Sequence, residues 1–232
     1  MNIVKQVLIN SLKKRNIYLS RKNHPNDFTI LRRISEELIK QAGGVLHIGA
    51  HIGQEAEFYF KCGVPVLWFE GDPDVYQILK ININPFENQK AVCHLLGERN
   101  EDSVEFNIAS NDGASSSIFT IHETKNLPFS MKNKLILPMR RLDDIVDEKQ
   151  IENFRHWVID VQGAELNVLK GAAGLISLCQ SLQVEVKNIS DYIGGTSWSE
   201  IRDFLNSKGF INLWEIEKDA EDSVLFVRIN RK

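Results

Sequence analysis

Two glycines four residues apart follow a short apolar run. The run begins at Val45, is too short for a helix, and stops at Gly49, which opens a Gly-x-x-x-Gly turn that ends at Gly53 before a helix-forming stretch. Glycine lets the backbone approach a ligand closely, and the new helix offers unpaired N–H groups at the carboxyl end of the strand. We therefore predict that Gly49, Ala50, His51 and Gly53 contact a nucleotide-like ligand.

An acidic residue, Glu70, ends the next apolar run, at the distance from the glycine turn where a second strand would finish. A carboxylate in that position can accept hydrogen bonds from both hydroxyls of a ribose. A nicotinamide dinucleotide would require glycines where this chain has His51 and Gln54, so an oxidoreductase is disfavoured. A nucleoside without pyrophosphate, such as S-adenosylmethionine, fits the turn better.

A second polar block follows a buried-type strand that begins at Trp157 and precedes a helical segment. Its acids fall at the carboxyl edge of the sheet, where Asp160 is our first candidate for a general base and Glu165 is the second. The alternatives are that Glu165 only complements a helix dipole and that Asp160 is an ordinary strand-end acid or a metal ligand. Gln162 suits a sugar hydroxyl, because its amide both donates and accepts, or it only ties down the turn.

Two histidines flank the glycine turn, and a serine-containing loop lies further along the chain. His47 and His51 are four residues apart across a bend and need not share a face, so we predict no metal site. We place both histidines near the predicted nucleoside ligand, and His51 is a third candidate base. The loop 111–117 is either a surface connection or a ligand contact, with Ser116 as its candidate substrate-binding residue.

The apolar periods alternate between strand and helix along the chain. A helical period over residues 28–40 leads into the first strand. Later strands are predicted at residues 64–69, 91–96, 157–161, 182–186, 211–216 and 223–229, with a hairpin-like excursion between 103–110 and 134–139. This alternation predicts an α/β fold with a mostly parallel sheet, and the two late strands predict an antiparallel hairpin at one edge.

The composition suits one domain with a sizeable core. The chain has 232 residues, of which 28 are basic and 31 acidic, and its formal net charge is −3. This balance gives no reason to expect a nucleic-acid partner and favours a small-molecule or glycan substrate. The three cysteines, Cys62, Cys93 and Cys179, have neither zinc-site nor C-x-x-C spacing, which predicts reduced thiols in a cytoplasmic protein.

The first residues of the chain carry an apolar stripe and one basic cluster. No apolar run approaches the ~20 residues of a transmembrane helix, and no small-residue cleavage site follows. We predict that residues 1–40 form a helical appendage, which packs on the main domain 41–232 or on a second subunit of a homodimer. Weak association of a basic amphipathic helix with an anionic membrane surface is the alternative.

Several blocks together carry a family resemblance. They are His-Ile-Gly-Ala-His-Ile-Gly from His47, Phe69 with Glu70, serines 115–117, Arg-Leu-Asp-Asp from Arg141, Asp-Val-Gln-Gly-Ala-Glu from Asp160, Val-Leu-Lys-Gly-Ala from Val168, Glu185, and the segment 201–210. Through these blocks the chain resembles the FkbM-type methyltransferases, most specifically through the one that begins at Asp160. The resemblance implies a Rossmann-like seven-stranded methyltransferase sheet, S-adenosylmethionine as the donor, and O-methylation of a hydroxyl on a sugar, glycan precursor or natural product.

By position, the resemblance places the glycine turn at the methionine half of the donor, Glu70 at its ribose, and residues 160–165 at the acceptor, with Asp160 also close to the donor. The family more often has Asp where this chain has His47, which leaves open what holds the donor ammonium. Two functions remain: an O-methyltransferase, and a catalytically inactive binding or scaffold subunit with the methyltransferase fold. Intact Asp160, Gln162 and Glu165 favour the enzyme.

Overall fold

The computed structural model describes residues 28–122, 125–216 and 221–229. The strands within these ranges are β1 (Val45–Ile48), β2 (Val66–Glu70), β3 (Gln89–Cys93), β4 (Leu95–Leu96), β5 (Glu101–Ala109), β6 (Met131–Arg140), β7 (His156–Ile159), β8 (Ser181–Lys187), β9 (Phe210–Asn212) and β10 (Glu221–Arg228). The helices are α1 (Phe28–Ala42), α2 (Ala56–Cys62), α3 (Pro73–Ile83), α4 (Leu142–Ile145), α5 (Glu148–Ile151), α6 (Glu165–Gly171) and α7 (Trp198–Ser207), with a short 3₁₀ helix at Ile176–Leu178.

Seven strands form the central sheet in the order β3-β2-β1-β7-β8-β10-β9. The pairs from β3 across to β8 are parallel, whereas β10 is antiparallel to both β8 and β9. The predicted seven-stranded sheet with an antiparallel hairpin at one edge is therefore confirmed. The strand order reverses between β1 and β7, and open α/β sheets bind ligands at the carboxyl ends of the strands at such a switch point.

A second, three-stranded sheet has the order β4-β6-β5 and contains the predicted excursion as the antiparallel pair β5 and β6. The prediction of one strand over residues 91–96 was wrong. At His94, whose N–H donates to the carbonyl of Glu70, the chain leaves the central sheet, and Leu95 then pairs with Met139 in the second sheet. The apolar run continues through this change of partner, so its pattern contains no sign of the break.

Helix α1 packs against the central sheet. Its side chains Ile34, Leu38 and Ile39 are buried in the two hydrophobic clusters that flank the sheet. The predicted boundary of an appendage at residue 40 falls inside this packed helix. The apolar stripe and basic cluster at the start of the chain lie in residues 1–27, outside the described residues. No helix in the described part of the chain is long and apolar enough to cross a membrane.

The carboxyl ends of β1 and β7 meet at Gly49. Its φ is 82°, a left-handed conformation, and a Cβ added there would lie 1.7 Å from the carbonyl oxygen of Asp160. The amide of Asp160 in turn donates to the carbonyl of Ile48. Only a residue without a side chain permits this contact, because any Cβ would overlap the Asp160 backbone. The glycine turn is thereby held beside the polar block that follows β7.

We expect Gly49→Ala to destabilise the fold far more than Gly63→Ala. Gly63 also has a positive φ, 73°, but a Cβ there meets nothing within 4 Å. Gly63→Ala should therefore cost only the strain of the left-handed conformation, about 1–2 kcal/mol. Gly49→Ala adds an overlap with backbone and should cost at least about 2 kcal/mol more. Urea unfolding measures both, and equal losses of stability would show that the Gly49 contact does not constrain the sheet.

Candidate functional site

A cleft lies over the carboxyl ends of β1, β2 and β7, at the switch point of the sheet. Its cavity volume is about 60 Å³, within about 590 Å³ of space that is partly open to solvent. The candidate residues that line it are Gly49, His51, Glu70, Ser116, Asp160 and Gln162. Four other candidates do not line it: His47, Ala50, Gly53 and Glu165. The structure thus brings together candidates from the glycine turn, the end of β2, the loop 111–117 and the block after β7.

Glu70 ties the glycine turn to the start of α3. Its Oε2 accepts from the backbone N–H of His51 at 2.7 Å, and its Oε1 accepts from that of Asp72 at 2.8 Å. The side chain is buried, and this burial raises the pKa of Glu70 to about 7 against the two backbone hydrogen bonds that lower it. Each carboxylate oxygen has a second lone pair, so Glu70 can still accept from ribose hydroxyls.

His51 connects the glycine turn to the loop 111–117. Its Nδ1 lies 2.9 Å from Gln54 Nε2, and its Nε2 lies 3.0 Å from the carbonyl oxygen of Asp112. Since an amide nitrogen donates and a carbonyl accepts, these contacts fit the tautomer with a proton on Nε2. The basic nitrogen of His51 is therefore already used by Gln54. This arrangement makes His51 a link across the cleft and a weak candidate for the base.

The glycine turn packs against protein more than against the cleft. The N–H groups of Gly49 and Ala50 both donate to the carbonyl of Phe69 at 3.0 Å, and Ala50 is buried. Gly53 has φ 77°, and a Cβ there would lie 2.7 Å from a methyl carbon of Leu79 on α3. Of these three residues only Gly49 lines the cleft, so its contact with a ligand stays a prediction, whereas Ala50 and Gly53 face the packed interior.

Gln162 lies between two carboxylates at the tips of neighbouring strands. Its Nε2 donates to Asp160 Oδ1 and to Glu185 Oε2, each at 2.7 Å, and its Oε1 accepts from the hydroxyl of Tyr192 at 2.9 Å. The backbone of Gln162 has φ 54°, a left-handed value that costs free energy in a residue with a side chain. The amide is thus fully engaged within the protein. Gln162 therefore orients Asp160. This agrees with the second interpretation of Gln162, that it ties down the turn, and not with a contact to a sugar hydroxyl.

Glu165 lies outside the cleft and organises the turn after β7. Its Oε1 accepts from the backbone N–H groups of Val161 at 3.1 Å and Gly163 at 3.0 Å. Burial raises the pKa of Glu165 to about 7. Because this value exceeds that of the unfolded chain, the contribution of Glu165 to stability is complete below about pH 4.5 and is lost as the pH rises through about 7. Its position supports the structural alternative over catalysis.

His47 is a core residue and does not reach the cleft. Its ring stacks on Trp68 with centroids 4.7 Å apart, and its Nδ1 lies 3.1 Å from the hydroxyl of Tyr59. Burial lowers the pKa of His47 to about 3, with a smaller contribution from His156, so the ring is neutral. The side chain faces α2 because successive residues of β1 alternate between the two faces of the sheet. The structure therefore does not support the prediction that His47 contacts the donor.

An apolar wall that the sequence did not reveal closes the other side of the cleft. Leu95, Leu96, Phe106 and Ile118 line the cleft from the second sheet and the loop that follows β5. The alternating pattern around Phe106 indicates a strand but not the face of the fold on which that strand packs. Only the pairing of β4 with β6 brings this wall over the ends of β1 and β2.

The cleft fits a nucleoside that carries a positive charge. The apolar wall can cover a flat base, Glu70 can accept from the ribose, and Asp160 lies at the end of β7 beside Gly49. No Lys or Arg lines the cleft among the described residues, whereas two carboxylates do. Within those residues there is also no group of three His, Cys, Asp or Glu side chains that could hold a metal ion.

Comparison with known protein families identifies a methyltransferase domain. Residues 47–211 match the methyltransferase FkbM domain, which is more than half of the chain. No curated protein sequence matches the chain significantly.

Solved structures share the fold at low sequence identity. An uncharacterized protein from Listeria monocytogenes superposes with a TM-score of 0.51 at 9% identity, covering 92% of this chain and 69% of that one. A candidate rRNA methylase from Clostridium thermocellum gives a TM-score of 0.50 at 11% identity, covering 86% and 96%. The magnesium protoporphyrin IX methyltransferase of Synechocystis, solved with bound S-adenosylmethionine, gives 0.46 at 11% identity, covering 97% of each chain.

Binding of S-adenosylhomocysteine should weaken as the pH falls below about 7, because ribose hydroxyls donate to the ionised form of Glu70. The limiting slope is about tenfold in affinity per pH unit. Glu70→Gln should bind more weakly, with a flatter pH profile. Calorimetric titration from about pH 5.5 to about pH 8.5 measures this.

Glu165→Gln is the matched control for that titration. Its carboxyl has the same raised pKa but lies outside the cleft, so its removal should change the pH dependence of stability and not that of binding. Affinity that does not vary with pH in the wild type would remove Glu70 from the ribose site.

Proposed function

The chain belongs to the FkbM methyltransferase family and uses S-adenosylmethionine, and we propose that it methylates a hydroxyl of a sugar, glycan precursor or natural product. The observation that carries this proposal is the position of Asp160. Its carboxylate lines the cleft at the tip of β7, where Gly49 brings the glycine turn against its backbone. A base in this position lies beside the end of the cleft that we assign to the methionine half of the donor.

A hydroxyl is a weak nucleophile unless its proton has an acceptor. The bound donor supplies an activated methyl group from its sulfonium, so the residues of the chain mainly align the reactants and remove one proton. Alignment alone can supply effective molarities on the order of 10⁵ M or more. A base within hydrogen-bond distance of the hydroxyl adds ~10²–10⁴-fold. Asp160 Oδ1 accepts from Gln162, and Oδ2 is the oxygen that we assign to the acceptor proton.

The other two candidate bases are less well placed. Glu165 holds the N–H groups of the turn after β7 and lies outside the cleft. His51 lines the cleft, but its unprotonated nitrogen is next to Gln54 Nε2. Asp160 accepts a hydrogen bond from Gln162 on Oδ1, and its Oδ2 is left for the substrate. This difference is why we assign the proton to Asp160.

We propose that the reaction requires no divalent metal. The amide of Gln162 occupies the space between Asp160 and Glu185, where a metal bridging these two carboxylates would lie. Its two N–H groups provide the positive edge that balances the carboxylates. Activity that is lost with a chelator and restored by magnesium would instead make Asp160 and Glu185 metal ligands.

The charge of the site favours a small acceptor without phosphates. Glu70 and Asp160 line the cleft, Glu185 lies next to Asp160, and no Lys or Arg lines the cleft among the described residues. A nucleic-acid acceptor would bring a polyanion to these carboxylates, which is unfavourable. An inactive scaffold subunit remains the second candidate. It predicts donor binding without transfer of tritium from methyl-labelled S-adenosylmethionine to any small-molecule fraction of an extract of the source cells.

Asp160→Asn should lower turnover by about 10²-fold or more, because it keeps the size of the side chain but removes its basicity. The dissociation constant of S-adenosylhomocysteine should change little. Tritium transfer to the acceptor fraction measures turnover, and calorimetry measures binding.

The control for this variant is Asp102→Asn, since Asp102 is exposed on β5 and forms an ion pair with Arg140. It should retain full turnover. Wild-type turnover in Asp160→Asn would refute the assignment of the base.

A further inference from the structure

A second cavity, of about 350 Å³, lies between helices α1 and α2 and the sheet. We call it the α2 cavity. Residues that line it include Ile39, Glu55, Phe58, Gln183, Trp214 and Leu225. Its volume falls within the range of small-molecule sites in proteins. None of these residues lines the donor cleft.

The walls of the α2 cavity combine buried apolar side chains with aromatic rings. Ile39, Tyr59, Trp214 and Leu225 are buried, and Phe58 is half-buried. The guanidinium of Arg32 lies 4.8 Å from the centre of the Phe58 ring, at the exposed rim of the cavity. Aromatic rings offer flat apolar surfaces, on which the C–H face of a sugar or another saturated ring can pack.

Polar groups face the same space. Gln183 Oε1 accepts from the Ser35 hydroxyl at 3.4 Å, so its amide nitrogen is the group that it offers as a donor. The carboxyl of Glu55 lines the cavity, and no Lys or Arg forms an ion pair with it among the described residues. Burial raises the pKa of Glu55, and the nearby charge of Asp160 raises it further. A few convergent polar groups on an apolar wall are typical of a ligand site.

The turn that contains residues 51–55 contributes side chains to both the α2 cavity and the donor cleft. His51 lines the cleft, while Gln54, which bonds to the His51 ring, and Glu55 line the cavity. Asp160 lines the cleft and is close enough to Glu55 to act on its charge. The carboxyl of Glu55 thus connects the lining of the cavity to the candidate base.

We propose that the α2 cavity seats a neutral hydroxylated ring of monosaccharide size, which forms part of the methyl acceptor. This inference rests on the proposed function and adds the place and the chemical class of the acceptor. Phe58 and Trp214 cover the apolar face of the ring, and Glu55 and Gln183 bond its hydroxyls. Another hydroxyl of the same molecule extends towards Asp160.

We assign a neutral ring because acidic groups surround the path from the cavity to the base. Glu55 lines the cavity, Asp160 acts on its charge, and Glu185 bonds the same Gln162 amide as Asp160, whereas the cation of the lining, Arg32, lies over the Phe58 ring at the rim. A sugar phosphate or nucleotide sugar would bring further negative charge to these carboxylates. Neutral glycosides should therefore bind better than the corresponding sugar 1-phosphates.

Saturation-transfer NMR on the full chain loaded with S-adenosylhomocysteine tests the site directly. The probes are phenyl β-glucoside, phenyl β-galactoside and phenyl β-xyloside at about 10 mM, each compared with the sugar 1-phosphate. We expect saturation of at least one glycoside and none of the phosphates. No saturation of any glycoside, or equal saturation of the phosphates, would overturn the proposal.

Two pairs of substitutions on α2 and the turn before it locate the binding. Phe58→Ala should weaken glycoside binding by about 10-fold, whereas Phe60→Ala, which removes an exposed ring outside the cavity, should not. Glu55→Gln should weaken binding and Glu57→Gln, an exposed acid paired with Lys61, should not. Unchanged affinity for S-adenosylhomocysteine verifies that each variant is folded. Equal affinities within both pairs would show that the glycoside binds elsewhere.

The same variants separate this inference from the proposed function. If tritium transfer occurs and Phe58→Ala raises the KM for the acceptor without a change in donor affinity, both stand. If transfer occurs with an unchanged KM, the α2 cavity is not the acceptor site although the enzyme is a methyltransferase of hydroxyls. If glycosides bind in the cavity but no transfer occurs, the proposed function fails and the cavity is a glycoside-binding site alone.

Discussion

The close backbone contact between Gly49 and Asp160 is the constraint on which the site depends. A parallel sheet brings the carboxyl ends of β1 and β7 to one edge, but side chains would normally keep the residues beyond those ends apart. The missing side chain at Gly49 allows the turn after β1 to touch the carbonyl of Asp160. The glycine turn and the candidate base are thus placed by the backbone, without a flexible side chain between them.

Buried carboxyl groups then hold the loops at this edge in place. Glu70 accepts from backbone N–H groups of the glycine turn and of the turn before α3, and Glu165 accepts from two within the turn after β7. In both, burial raises the pKa to about 7, since hydrogen bonds from the backbone only partly replace the lost hydration. Gln162 adds a neutral bridge between Asp160 and Glu185. The rigidity of the edge therefore comes from hydrogen bonds to backbone, with little contribution from ion pairs.

The sequence predicted those features that follow from local periodicity. Alternating strands and helices determine a parallel sheet with a switch point, so Glu70 and Asp160 could be assigned to one edge before the structure was known. The roles of His47 and Glu165 could not be predicted, because one residue along a strand or turn changes the face on which a side chain lies. The apolar wall was missed for a different reason. Leu95 and Phe106 reach the cleft only through pairing in the second sheet, which is a long-range property of the fold.

A crystal structure with bound S-adenosylhomocysteine gives the most direct test of the arrangement around Gly49 and Asp160. The measured quantity is the distance from the donor sulfur to the nearer carboxylate oxygen of Asp160. If Asp160 takes the proton from a hydroxyl in line with the sulfur, this distance should be no more than about 8 Å, the sum of the sulfur–methyl bond, a near-attack separation and one hydrogen bond. A sulfur more than about 10 Å away, or one that faces away from Asp160, would contradict the account.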